Sequence, residues 1–171
     1  MPVSLEDARA WLRLGAGDED ALVERLIGAV TNICEAFTGQ WLIVRAGEEV
    51  LALRDRTARL AARPVVGIDA VAAIDAGGGE TALSEADYRV DIAGGAARVT
   101  VPGAADGARV RVAYRAGMAD TASEVPAAIR HGMLRMVQHL YAARDDAALA
   151  PPAAIAALWQ PWRRLSLGGE R

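Results

Sequence analysis

A chain of 171 residues and 17.9 kDa has the size of one domain, or of one domain carrying an inserted module, and excludes two large independent domains. Chains near this length bury roughly 70% of the surface their unfolded form exposes, so an apolar core can form without disulfides or metal. All 19 cationic residues are arginine, and 22 acids leave a net charge of −3, which disfavours a general nucleic-acid binder because such proteins carry a basic excess.

The hydrophobic fraction of 53% includes 38 alanines, small groups that contribute little burial each, so the bulky core is thin. Single Cys34 cannot form an intrachain disulfide. No apolar run approaches the ~18 residues of a membrane span, and the polar stretch from Ser4 to Arg9 does not read as a signal peptide. A soluble protein is expected, made and used in the cytoplasm or on an assembly built there.

In chain order, Ser4 followed by Asp7 fits a capping box and predicts a helix over 5–14, closed by Gly15-Ala16-Gly17. Asp18, Glu19 and Asp20 suit the positive end of a second helix. Along it Leu22, Val23, Leu26, Ile27, Val30, Ile33, Cys34 and Phe37 recur at three- and four-residue spacing, which marks one buried face. Thr38-Gly39 closes it.

From there the period changes to short β-like runs at 41–45, 50–53, 65–74, 88–92, 97–101 and 109–114, separated by glycine clusters. In the last run arginines alternate with apolar groups. Helix returns after Ser123-Glu124-Val125-Pro126, with Ser123 as cap and proline in the first turn. Ile129, Met133, Met136, Val137, Leu140 and Tyr141 line its buried face. A linker over 145–152 leads to a short helix over 153–159, which Pro161 stops.

The expected fold class is α+β: a helical bundle of two N-terminal helices, one long C-terminal helix and a short terminal helix, with an inserted small antiparallel β module. The boundaries read as 1–39, 40–117, 118–146 and 147–171.

Catalytic and cofactor signatures do not assemble. Without lysine, Gly77-Gly78-Gly79-Glu80 cannot be a Walker loop and reads as a hairpin turn. His131 and His139 stand eight residues apart on one helix, about 12 Å, too far to share a metal ion. Cys34 reads as core, and no serine nucleophile motif is present. The acids at 18–20 are explained by a helix start without a bound cation. Trp159 and Trp162 beside Arg163 and Arg164 are residue types enriched in binding hot spots, although both tryptophans could equally cap the domain's own core. The last four residues read as a frayed end.

The ordered set of segments resembles the head-tail connector, or adaptor, proteins of long-tailed bacteriophages and gene transfer agents. The segments are 5–13 before the acidic group, Glu35-Ala36-Phe37-Thr38-Gly39, 64–71, Tyr114-Arg115-Ala116-Gly117, 125–130 opening a helix that ends in 139–144, and a closing 158–163. The resemblance implies a non-enzymatic subunit with no cofactor or metal, assembled in the bacterial cytoplasm into the particle neck. It implies a ring, typically of twelve copies, between the portal protein and a tail-side stopper or terminator. DNA would pass through it without sequence-specific binding, and no membrane is involved. Trp159, Trp162, Arg163 and Arg164 become candidate portal contacts. Two alternatives remain: a nucleic-acid-binding module on 109–114 and the C-terminal arginines, and a small hydrolase-type enzyme using Cys34 or a histidine.

Overall fold

The computed structural model describes residues 1–15, 17, 19–143 and 150–164. The chain divides into two compact units, Met1–Ile43 with Ala119–Arg171, and Val44–Met118. The first is helical and the second is built of antiparallel sheets, so the fold is mixed α+β.

In the helical unit, α1 (Leu5–Leu12) starts where Ser4 Oγ accepts the Asp7 N–H at 3.0 Å and donates to the Asp7 carboxylate at 2.7 Å. It stops at Arg13 rather than in the glycine cluster. Arg13 takes the left-handed conformation (φ 59°) while its N–H reaches the carbonyls of Arg9 and Ala10. Closing the last turn onto these carbonyls satisfies groups that a helix end otherwise leaves open.

α2 (Asp20–Thr38) buries Val23, Ile27, Val30 and Cys34 on one face. Asp18 lies outside the described residues. Leu22, expected on the buried face, is exposed because the helical phase turns it away from Val23 and Ile27. Asp20 ion-pairs with Arg9, and Glu19 accepts the hydroxyl of Tyr141. Gly39 ends the helix at φ 67° with its N–H on the Glu35 carbonyl.

α3 (Ala127–Ala143) buries Ile129, Met133, Met136, Val137 and Leu140. It packs against α2 and against α4 (Ala153–Trp159), and α1 rests on both α2 and α3. The expected Ser123 cap is not used. A short 3-10 turn, Ala122–Glu124, precedes α3, and the Glu124 carboxylate accepts the N–H groups of Asp120 and Thr121, both at 3.0 Å. A second 3-10 turn, Gln160–Trp162, extends α4 past the point where Pro161 was expected to stop it. Proline is tolerated there because a first-turn N–H needs no partner. Most of the expected 145–152 linker and the end of the tail lie outside the described residues.

The second unit contains β1 (Arg45–Ala52), β2 (Thr57–Arg59), β3 (Val65–Ile74), β4 (Glu80–Ala82), β5 (Arg89–Ala93), β6 (Ala96–Thr100) and β7 (Arg109–Ala116). They form a four-stranded sheet in the order β1-β7-β3-β4 and a three-stranded sheet in the order β2-β6-β5. β7 alternates as expected, burying Val110, Val112 and Tyr114. Of the run expected at 41–45, only Arg45 lies in a strand, as the first residue of β1. Leu42 is fully buried in the helical unit, its N–H bound to Glu35 Oε1 at 2.9 Å.

The triglycine is a turn, with the Asp75 carboxylate accepting the N–H groups of Gly77 and Gly79, each at 2.8 Å. Gly94 and Gly95, at φ 57° and 77°, form the two-residue hairpin between β5 and β6. Positive φ at both central positions matches the right-handed strand twist.

Candidate functional site

The four residues singled out at the C-terminus separate into one core residue and three surface residues. Trp159 is fully buried. Its Nε1 donates to the Ile129 carbonyl at 3.2 Å, and its ring tilts against Phe37 with centroids 5.8 Å apart. Gly132 lies directly under the indole, so close that a Cβ there would collide with Nε1. Trp159 is therefore withdrawn as a surface contact: an indole with no exposed area and a satisfied N–H has nothing left to offer a partner.

Trp162 is 37% exposed, and Arg163 and Arg164 are exposed as well. Their backbone is fastened to the end of α2. The Gln40 side chain donates to the Trp162 carbonyl, and the Arg164 N–H donates to the Thr38 carbonyl at 2.7 Å. The Arg163 guanidinium lies over the Phe37 ring, 5.4 Å from its centroid. Gly39 lets the tail approach, because a Cβ there would stand 2.8 Å from the Arg164 carbonyl oxygen. A tryptophan and two arginines are thus held on a defined backbone while their side chains stay accessible.

Sequence reading missed the seat made by Phe37, Thr38, Gly39 and Gln40. These residues were legible only as a helix end, since nothing local shows that residues 122 positions later close onto them.

Burial, with the nearby Glu35 charge adding to it, pushes the Cys34 thiol up to about 12, so it stays neutral and unreactive near neutral pH. His131 meets Trp11 edge-on at 5.4 Å between centroids. Among the described residues, no three His, Cys, Asp or Glu side chains gather where a metal ion could sit. On β7, Arg111 pairs with Glu80 at 2.6 Å and Glu48 at 3.4 Å, and Arg115 with Asp69 at 3.0 Å. Of the two arginines in the run 109–114 weighed for nucleic acid, Arg111 is therefore engaged by acids. Among the described residues no helix is long and apolar enough to cross a membrane.

The family described as head completion protein matches residues 3–147. The chain belongs to that family. The match takes in residues of both units and leaves residues 148–171, which include α4, beyond its end. Among solved structures, the chain is similar to one in the neck of an empty GTA particle computed with C6 symmetry, at 27% identity and a TM-score of 0.79, covering 99% of this chain and 93% of that one. A chain in the virion of a native gene transfer agent particle matches at 26% identity with the same TM-score and coverage. A third, from the neck of a native GTA particle computed with C12 symmetry, matches at 26% identity and a TM-score of 0.72, covering 89% and 87%. No curated protein matches the chain.

Proposed function

We propose that this head completion protein is a structural subunit of the head-tail neck of a phage-like particle, acting by shape and not by catalysis. The observation that carries the reading is likeness along 99% of the chain to a neck chain of a gene transfer agent particle, joined to membership of the head completion family.

Copies form a ring, and the C6 and C12 symmetries of the related necks support twelve as the number. A closed ring needs two different complementary faces on each subunit, which suits a chain made of a helical unit and a β unit. Trp162, Arg163 and Arg164 contact the portal, a role suited to accessible side chains on an anchored backbone. The β unit or the opposite face of the helical unit meets the tail-side stopper or terminator, and DNA passes through the centre. The buried, neutral Cys34 supports a non-enzymatic role.

Mass spectrometry of purified particles tests the reading. The chain is expected in the particle fraction at a fixed ratio to the portal, and a reconstruction is expected to place it at the junction of head and tail. Intact particles that lack it would overturn the proposal.

A further inference from the structure

The outer face of the three-stranded sheet carries charge that no side chain among the described residues pairs with. Side chains alternate between the two faces of a strand. Ala58, Ala97 and Val99 are buried, so Thr57 and Arg59 of β2, with Arg98 and Thr100 of β6, stand on the opposite, outer face. Pairing puts Thr57 opposite Thr100 and Arg59 opposite Arg98. On the other side of β6, Arg89 and Asp91 lie opposite Thr100 and Arg98. The result is two parallel rows, Thr57–Thr100–Arg89 and Arg59–Arg98–Asp91. A cavity of about 180 Å³ lined by Arg59, Arg98 and Asp91 also takes in Arg63.

Like charges directly opposite on neighbouring strands destabilise a sheet, yet Arg59 and Arg98 occupy such a pair. Arg9, Arg111 and Arg115 all have acidic partners. Among the described residues, the side chains of Arg59, Arg63, Arg89 and Arg98 make no hydrogen bond or ion pair, and neither does that of Asp91. Four arginines against one acid make the face locally positive by three, in a chain whose net charge is −3.

Guanidinium groups only donate, and their fork matches the oxygens of a phosphate. The Thr57 and Thr100 hydroxyls bond each other at 3.1 Å, so the guanidinium groups are what this face offers to an anion. The two rows are roughly 6.6 Å apart along the strands and their columns roughly 4.8 Å apart across them. Such a grid meets several charges of a repeating polyanion at once and is poorly used by a single ion or an isolated carboxylate. We propose that this face binds the sugar-phosphate backbone of duplex DNA through charge, without reading bases. Only the source of that DNA rests on the neck reading; the binding does not.

Fluorescence anisotropy of the full chain with duplexes of about 30 base pairs and unrelated sequence, from about 25 to 200 mM salt, tests this. Binding is expected at the lowest salt and independent of sequence, with log affinity falling linearly against log salt. Each phosphate contact contributes about 0.9 to that slope. The double variant Arg59→Gln/Arg98→Gln therefore loses about 2 from the slope and about tenfold or more in affinity at low salt. Arg59→Lys/Arg98→Lys retains the slope, and Arg109→Gln, an exposed arginine on the other sheet, leaves binding unchanged. All altered positions are exposed, and circular dichroism confirms that each variant is folded.

No binding by the wild type at low salt, or an unchanged slope in the folded glutamine variant, overturns the proposal. So does a glutamine variant that binds DNA normally but fails to enter particles, because the face would then meet protein. Wild type absent from particles yet bound to DNA through these arginines would defeat the neck reading and leave this one standing.

Discussion

The indole N–H of Trp159 donates to the backbone carbonyl of Ile129 at 3.2 Å. This bond fixes the last helix to α3 inside an apolar seat, so α4 is part of the core although it falls outside the family match. Replacing a buried tryptophan with alanine costs about 3–5 kcal/mol. Trp159→Ala is therefore expected to lower the melting temperature by roughly ten degrees. Deleting residues 158–171 should unfold the helical unit. A melting curve unchanged by either alteration would show that α4 is dispensable.

Gly132 is the counterpart of that tryptophan. Alanine normally favours a helix over glycine by about 1 kcal/mol, but here its methyl group would strike the indole. Overpacking of this kind costs about 1–3 kcal/mol. Gly132→Ala is expected to be net destabilising by about 1 kcal/mol in urea titration, and Gly132→Ala combined with Trp159→Phe should recover part of the loss. Stabilisation by the single change would refute the contact.

Cys34 is fully buried, with its thiol pushed up to about 12. A thiol-specific aromatic disulfide at about pH 8 should leave the folded chain unmodified and label it fully once guanidinium unfolds it. Rapid labelling of the native protein would place the thiol at the surface.

The Glu124 carboxylate is held below its ordinary value of 4.5, chiefly by the Thr121 N–H. Because the folded group is the stronger acid, its stabilisation is complete above 4.5 and is lost as pH falls through the folded value. Wild-type melting temperature should fall as pH drops below 4.5. Glu124→Gln, which cannot ionise, should show a shallower fall and a lower value at neutral pH. Parallel curves for the two proteins would remove Glu124 from the acid response.

The exposed end of the tail should separate stability from assembly. Trp162→Ala with Arg163→Ala and Arg164→Ala removes one cation–π contact at an exposed site, worth roughly 0.5–1 kcal/mol. The fold is expected to persist while incorporation into particles falls sharply in a quantitative assay. Normal incorporation would move the portal contact elsewhere.

Local patterns were enough to place α2, α3 and α4 and the alternating strand β7. Three- and four-residue spacing identifies one buried helical face, and alternation identifies one buried sheet face. These patterns are properties of neighbouring residues, and folding only has to supply something apolar against them. The three-residue strands β2 and β4 were invisible because they are too short to show a period.

What the chain alone could not decide is which partner each side chain meets. Trp159 and Trp162 are three residues apart, in similar company, yet one is core and the other surface, because α4 turns only one of them toward Gly132 and Ile129. Arg111 and Arg98 both sit on strands between buried apolar neighbours. Only the long-range pairing brings Glu48 and Glu80 to the first, while it sets Arg59 directly opposite the second. Composition and periodicity determine how much charge and apolar surface a chain carries. Where the charge is cancelled and where it is left standing is decided by strand register and helix packing, because Coulomb attraction and hydrogen bonding act across a few ångströms of space whatever the separation along the chain.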